Sequence, residues 1–224
     1  MAGGVTFANA SIIMQGDAHL LTRKRIRAMA TADNRADCLR VLNECGYATD
    51  FNDDDDLLTA ARAQTWEIFQ SLCEDPALLA CVEAIYQLTE SNAEMVFTTL
   101  ATQIPHVKTA SIRTYLTNWV DMVNVRNFYK GSSTIFPGGN LQAGQLDYFP
   151  QMSAQEREDA IQELLDNLGS VDKDDIFKPN PLFWWYLQRE KEFIMIKAIL
   201  ISKRFNYDIL WLRENLRGLY ERFQ

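Results

Sequence analysis

Turn-forming residues are too sparse in this sequence for a fold built from many short strands. The 224 residues include 10 glycines and 6 prolines, and good helix formers fill the long stretches between them. Sandwiches and barrels need turn signals at short, regular intervals. The hydrophobic content of 47% is enough to build one or two compact cores. The sequence therefore predicts an all-α fold made of bundle-like helical sub-domains.

Capping residues, glycines and prolines set the expected element boundaries. The strongest turn signal is Phe136-Pro137-Gly138-Gly139. No internal repeat is evident. We expect three segments, 1–50, 51–150 and 151–224, that form one continuous helical body. One helix is predicted to begin near Thr22, and the helix over Pro76 to Gln103 is predicted to break near Thr89 to Asn92. The other predicted helices are Phe7 to His19, Asn34 to Cys45, Asp54 to Cys73, Thr109 to Gly131, Ser153 to Leu168, Pro181 to Phe205, and Asp208 to Phe223.

The charge balance excludes one class of partner. The chain has 22 basic and 30 acidic residues, a net charge of −8, which repels phosphate backbones and argues against nucleic-acid binding. Residues 178–224 contain nine Lys or Arg and five Asp or Glu, so they carry +4 and the rest of the chain −12. We expect this C-terminal arm to make different electrostatic contacts from the rest of the chain.

No stretch of the sequence suits a membrane span or a secretion signal. Uninterrupted apolar runs stay below the roughly 18 to 20 residues that a bilayer requires. Residues 1–16 have no basic region before their apolar stretch, so we expect no signal peptide and a cytoplasmic setting.

Recognisable catalytic and metal-binding motifs are missing. There are two histidines, no GxxxxGK[ST] loop, no GxGxxG after a strand and no nucleophile elbow. The run Asp53 to Asp56 fits the acidic start of a helix better than a calcium loop, which needs alternating ligands and an internal glycine. We therefore predict no catalytic, cofactor-binding or metal-binding residues. Reduced core thiols are the expected state of Cys38, Cys45, Cys73 and Cys81.

Two predicted helices place polar groups on otherwise apolar faces. The apolar stripe of the helix starting near Thr109 continues into Arg126 and Asn127. These two residues would either take part in a buried cap or ion pair, or line an interface. The second case is the polar run Gln188 to Glu192, which spans a full helical turn. At least one of its charges must therefore face the same side as Leu182, Phe183, Tyr186 and Ile194.

A charge on an apolar face needs a partner. We therefore predict that Arg126 or Asn127 lies beside Glu190 or Glu192.

Three segments carry motifs in a consistent order along the chain. The first contains Ala8-Asn9-Ala10-Ser11-Ile12, Leu20-Leu21-Thr22, Leu39-Arg40-Val41-Leu42 and Cys45-Gly46-Tyr47. The second contains Val120-Asp121-Met122-Val123-Asn124-Val125-Arg126-Asn127-Phe128-Tyr129-Lys130-Gly131 and Ile135-Phe136-Pro137-Gly138-Gly139-Asn140-Leu141. The third is Tyr186-Leu187-Gln188-Arg189-Glu190-Lys191-Glu192-Phe193-Ile194-Met195-Ile196-Lys197-Ala198-Ile199-Leu200.

Together these segments resemble the C/d family of central-stalk proteins from V/A-type (vacuolar and archaeal-type) rotary ATPases. The resemblance implies a non-catalytic component, a compact or funnel-shaped helical socket that joins the membrane rotor ring, built of c/K proteins, to the D and F proteins of the shaft. It further implies a cytoplasmic protein, peripheral to the membrane, that serves ATP-linked proton or sodium transport without a cofactor of its own. Structural or interface candidates on the motifs are Asn124, Arg126, Asn127, Lys130, Glu190 and Glu192.

The chain departs from the family pattern in length and in one helix. Typical members have three similar helical sub-domains and are longer, so the middle of this chain would be contracted. Phe193 and Met195 replace the usual aliphatic and polar residues. A free-standing helical adaptor or regulatory protein is the alternative from another functional class, and a metal-independent helical hydrolase has little support.

Overall fold

The computed structural model describes residues 20–132, 134–141, 144, 151–153, 155, 156, 159, 180–208 and 210–212. These residues form helices and their connecting turns, and none of them lies in a β-strand. The all-α prediction is confirmed. No helix within these ranges has the length and apolar character needed to cross a bilayer. The predicted helix Phe7 to His19 lies outside the described residues, as does most of the helices predicted over Ser153 to Leu168 and Asp208 to Phe223.

The helix bounds follow the predicted signals closely. Pro105 lies inside a 3-10 turn, Ile104–His106, that directly follows the α-helix ending at Gln103. A second 3-10 turn, Glu90–Asn92, occupies the predicted break. The described α-helices are α1 (Arg23–Thr31), α2 (Arg35–Glu44), α3 (Asp54–Leu72), α4 (Pro76–Tyr86), α5 (Ala93–Gln103), α6 (Ala110–Tyr129) and α7 (Asn180–Arg204).

Local side-chain caps explain why these boundaries can be read from sequence. Thr22 accepts a hydrogen bond from the N–H of Arg25 at 3.3 Å, and Asn34 accepts one from the N–H of Asp37 at 3.0 Å. Such caps satisfy N–H groups that the first turn of a helix leaves without partners. Gly46 follows α2 with φ of +85°, a backbone conformation that glycine adopts without strain.

Ser153 and Glu156 form a capping box. The carboxylate of Glu156 accepts the N–H of Ser153 at 2.7 Å, and the hydroxyl of Ser153 accepts the N–H of Glu156 at 3.3 Å. Hydrogen bonds from the hydroxyl and the N–H of Ser153 lower the pKa of the Glu156 carboxyl. They are the arrangement expected at the start of a helix.

Contacts divide the chain into two units. The central unit contains the described residues within Cys73–Phe183, and the terminal unit contains those within Ala8–Leu72 and Trp184–Gln224. Helix α7 contributes to both units because the division falls inside it. Residues 20–72 and the described residues after Phe183 therefore belong to the same unit, although they lie far apart in the sequence. The expected segments 1–50, 51–150 and 151–224 stay a prediction.

Helices α3 and α7 run antiparallel within the terminal unit. Near the start of α3, Asp55 binds Lys197 from the second half of α7 at 2.8 Å. Near the end of α3, the ring centre of Phe69 lies 5.1 Å from that of Tyr186 in the first half of α7. Residues from α1, α2, α3 and α7 share one core. Its fully buried side chains include Met29, Cys38, Leu42, Leu57, Ile196, Ile199 and Leu200.

The buried carboxylate of Asp75 organises the central unit. One oxygen, Oδ1, accepts the N–H groups of Ala77 at 3.1 Å and Leu78 at 3.3 Å, which caps α4. The other, Oδ2, accepts the N–H of Lys108 at 2.9 Å, just before α6. Asp75 therefore links two helix starts. The core around them includes Leu78, Cys81, Val82, Phe97, Leu100, Ile112, Leu116 and Val120.

The four cysteines are free thiols, as expected, and their surroundings predict low reactivity. Burial raises the pKa of Cys73 to about 11 and that of Cys81 to about 12. Only the thiolate is nucleophilic, so at pH 8 we expect Cys73 to react with iodoacetamide roughly a hundredfold more slowly than an exposed cysteine.

Mass spectrometry of the native protein after timed alkylation measures this rate. The rate should rise as the pH approaches 11, and the difference from an exposed cysteine should vanish in urea. Fast labelling of native Cys73 at pH 8 would contradict the burial described here.

Candidate functional site

The residues of the three motif segments meet in two hydrogen-bonded clusters, one in each unit. The central cluster joins Asp121 and Asn124 on α6 to the loop of residues 136–141. The side chain of Asn124 accepts the N–H of Phe136 at 2.8 Å and donates to the carbonyl of the same residue at 2.9 Å. Asp121 accepts the N–H groups of Asn140 at 3.0 Å and Leu141 at 2.9 Å. Two side chains one helical turn apart therefore hold both ends of the loop.

The glycine pair lets the loop lie close to its neighbours. Gly138 has φ of +105°, a conformation that other residues rarely adopt. A Cβ on Gly139 would overlap the carboxylate of Asp121 and lie 3.3 Å from its backbone nitrogen. The ring of Phe136 stacks on that of Phe97, with centroids 4.2 Å apart. The turn predicted at Phe136 to Gly139 is thus a loop fixed to α5 and α6.

The terminal cluster is centred on Glu192, whose side chain is almost fully buried. Its Oε2 accepts the N–H of Leu21 at 2.7 Å, and its Oε1 accepts hydrogen bonds from the guanidinium of Arg189 at 2.7 Å and from the hydroxyl of Tyr47. One carboxylate therefore joins α7 to the chain just before α1 and just after α2.

Arg189 makes the remaining bonds of the terminal cluster. Its Nη1 donates to the oxygen of Tyr47 at 2.8 Å as well as to Glu192, and its Nε donates to the hydroxyl of Thr65 at 3.4 Å. The guanidinium carbon lies 5.1 Å from the ring centre of Tyr47 and 4.9 Å from that of Phe193. These distances suit a cation packed against aromatic faces. Phe193, a departure from the family pattern, thus contributes directly to this cluster.

Burial raises the pKa of both acidic groups of the terminal cluster, Glu192 and Tyr47. Burial raises the pKa of Glu192, although the Arg189 guanidinium and the hydrogen bonds from Tyr47 and Leu21 favour its ionised form. Burial and the neighbouring Glu192 carboxylate raise the pKa of Tyr47. The hydroxyl of Tyr47 therefore keeps its proton at neutral pH and can donate it to the carboxylate.

The helices that supply the two buried acids, α6 and α7, share a sequence spacing. Tyr115-Leu116 on α6 precedes Asp121, and Tyr186-Leu187 on α7 precedes Glu192, so the acid follows the tyrosine by six residues in both helices. In both cases the buried acid accepts backbone N–H groups from a loop of its own unit. The two helices therefore share this spacing of tyrosine, leucine and buried acid.

Some predicted site residues lie in the clusters. Asn124 belongs to the central cluster and Glu192 to the terminal cluster. Glu190 lies outside them and pairs with Arg62. The other three predicted residues lie outside both clusters. Arg126 and Lys130 are exposed, and Asn127 is half-buried.

The predicted pairing of Arg126 or Asn127 with Glu190 or Glu192 is replaced by other partners. Glu190 binds Arg62, and Glu192 binds Arg189 from its own helix. The expectation that the apolar stripe of α6 continues into Arg126 fails because that side chain is exposed. Ile194, expected on the buried face of α7, is 49% exposed. The residues that do engage the clusters, and were not named as candidates, are Asp121, Arg189, Tyr47, Thr65 and Leu21.

Both clusters hold backbone in place. Their carboxylates are occupied by N–H, hydroxyl or guanidinium donors from the same unit. Within the described ranges, no group of three or more His, Cys, Asp or Glu side chains is placed to hold a metal ion. The arrangement suits a protein in which loops must keep a fixed position against their helices.

Comparison with protein-family models, with characterised proteins and with solved structures gave no match to this chain.

Proposed function

We propose that this chain is a non-catalytic central-stalk component of a rotary V/A-type ATPase. In this role it couples the membrane rotor ring to the D and F proteins of the shaft during ATP-linked proton or sodium transport. The observation that carries the proposal is the meeting of the resembling segments in the two clusters. The first and third segments join through Glu192, and the two halves of the second join through Asp121 and Asn124.

This meeting matters because unrelated amphipathic helices have no reason to place matching residues in contact. A chance resemblance would scatter the motif residues over exposed and buried positions. Here the leucine pair ending in Leu21, the tyrosine of Cys45-Gly46-Tyr47 and the acid of the third segment share one carboxylate. The repeated pattern on α6 and α7 also suits a family built from similar helical sub-domains.

The physical properties of the clusters suit a coupling element. A protein that transmits torque must resist deformation, and close-packed interiors have low compressibility. Buried hydrogen bonds to charged groups are stronger than those between neutral groups. The hydrogen bonds to Asp121 and Glu192 fix loops to helices, so they limit local deformation when torque is applied. The exposed end of α6, with Arg126 and Lys130, is then available to a partner.

Purification of the tagged full-length protein from its native host tests the proposal. We expect the catalytic, ring and shaft proteins of a rotary ATPase to be recovered with it, and we expect the isolated protein to hydrolyse no nucleotide. Recovery of no ATPase component would support the free-standing adaptor instead.

A pair of charge reversals can locate the contact. Arg126→Glu with Lys130→Glu changes exposed side chains outside both clusters, so the fold should persist. We expect this variant to lose the other ATPase components during purification in moderate salt, because complementary charges are lost. Arg27→Glu, an exposed reversal on α1, is the matched control and should purify like the parent protein.

A further inference from the structure

A cavity of about 480 Å³ lies in the terminal unit beside Arg189. Its volume falls in the range of small-molecule sites, which are roughly 300 to 1,000 Å³. Four parts of the unit enclose it: the chain at the start of α1, the end of α2, the middle of α3 and the first half of α7. Side chains that matter for its chemistry are Arg25, Glu44, Tyr47, Gln64, Trp185 and Arg189.

The cavity wall is more positive than the chain as a whole. Two cations, Arg25 and Arg189, and one anion, Glu44, line it, and with the Glu192 carboxylate behind Arg189 these charges balance, in a chain of net charge −8. Glu192 binds Arg189 through Nη1 and is not among the lining residues. The two guanidinium groups are therefore the cationic groups that an anionic ligand would meet at this wall.

Arg189 provides a buried donor at the wall. Its side chain is 10% exposed, and the hydrogen bonds described for it use Nε and Nη1, so Nη2 takes part in none of them. A guanidinium can donate to a carboxylate in a fixed planar geometry. The strength of such a bond is greatest where water is largely excluded.

The second cation lies at the more exposed side of the cavity. Arg25 pairs with Glu44 at 2.5 Å, with side chains 41% and 48% exposed. Exposed ion pairs contribute little to stability, so Arg25 can exchange this partner for a ligand at small cost. Trp185 and Ile68 add apolar lining next to these donors.

We propose that this cavity binds a carboxylate carried on an apolar body. Arg189 holds the carboxylate, Arg25 attracts it, and the apolar body packs against Trp185 and Ile68. The carboxylate can belong to a small organic acid or to an acidic side chain of a bound peptide. This binding does not depend on the proposed role in a rotary ATPase.

Isothermal titration of the full-length protein with 4-phenylbutyrate tests the site. Its amide, 4-phenylbutyramide, has the same shape without the charge. We expect the acid to bind at millimolar or lower concentration and the amide to bind at least roughly tenfold more weakly. Equal binding of both compounds, or binding of neither, overturns the proposal.

Cavity-blocking variants show whether binding occurs in this location. Gln64 is an exposed residue that lines the cavity, so Gln64→Trp should fill its entrance without removing a bond of the terminal cluster. Gln70→Trp, exposed on the same helix and outside the lining, is the matched control. We expect Gln64→Trp to lower the affinity for 4-phenylbutyrate by at least roughly tenfold, and we expect Gln70→Trp to leave this affinity unchanged. Unchanged affinity in Gln64→Trp refutes the assignment. Arg189 stays intact because its removal would disturb the fold.

A competition experiment with a peptide distinguishes the two sources of the carboxylate. The probe is a leucine-rich peptide with blocked ends and one glutamate, so that its only carboxylate is a side chain. If it displaces 4-phenylbutyrate and the matching glutamine peptide does not, a protein segment can occupy the cavity. If 4-phenylbutyrate binds with the expected Gln64→Trp dependence and neither peptide competes, the site is for small organic acids.

Discussion

Replacing Glu192 with alanine is expected to destabilise the protein by about 3 to 5 kcal/mol, because the change leaves Arg189 as an uncompensated buried charge. The side chain of Glu192 is 3% exposed and that of Arg189 is 10% exposed, so water cannot replace the lost partner easily. The N–H of Leu21 and the hydroxyl of Tyr47 also lose their acceptor. Urea unfolding followed by circular dichroism measures the change.

The matched control lies two residues away on the same helix. Glu190 pairs with Arg62, whose side chain is 48% exposed. Pairs of this kind contribute about 1 kcal/mol or less, so Glu190→Ala should shift the unfolding midpoint only slightly. Equal effects of Glu190→Ala and Glu192→Ala would mean that the terminal cluster has no special role in stability.

Replacing Asp121 with alanine is expected to free the loop of residues 136–141 and to destabilise the protein by about 2 to 3 kcal/mol. The carboxylate accepts two backbone N–H groups, and hydrogen bonds to charged groups contribute roughly 1.5 to 3 kcal/mol each. The N–H groups of Asn140 and Leu141 are only part-buried, so water should replace part of what is lost. Hydrogen exchange should therefore accelerate at these two amides, while urea unfolding reports the total.

Arg126→Ala is the control for the central cluster. Arg126 lies on α6 with Asp121 but is exposed, and exposed substitutions usually change stability by less than about 0.5 kcal/mol. Retention of slow exchange at Asn140 and Leu141 in Asp121→Ala would show that the loop does not depend on this carboxylate.

The helix boundaries could be predicted because their causes are local. Thr22, Asn34 and Asp75 each cap a helix through N–H groups two or three residues ahead. The run of acids at the start of α3 complements the positive end of the helix dipole. Such signals survive in the sequence whatever the tertiary structure does.

The cluster partners could not be predicted because they are distant in sequence. Helical geometry required at least one charge between Gln188 and Glu192 to face the core, and Glu192 does so. Its partners lie on the same helix at Arg189 and near the start of the chain at Leu21 and Tyr47. The hydrophobic pattern does not encode which distant helix supplies a partner, so the choice of Arg126 had no physical support beyond its position on an apolar stripe.

The terminal unit also has consequences for how the chain is made. The described residues of its two parts, within 20–72 and 184–212, are separated by all of Cys73–Phe183. At ribosomal rates of about 5 to 20 residues per second, the first part waits on the order of 5 to 20 seconds for the second. During synthesis the apolar faces of α1, α2 and α3 therefore lack the α7 side chains that share their core. We expect the nascent chain to engage chaperones in this interval.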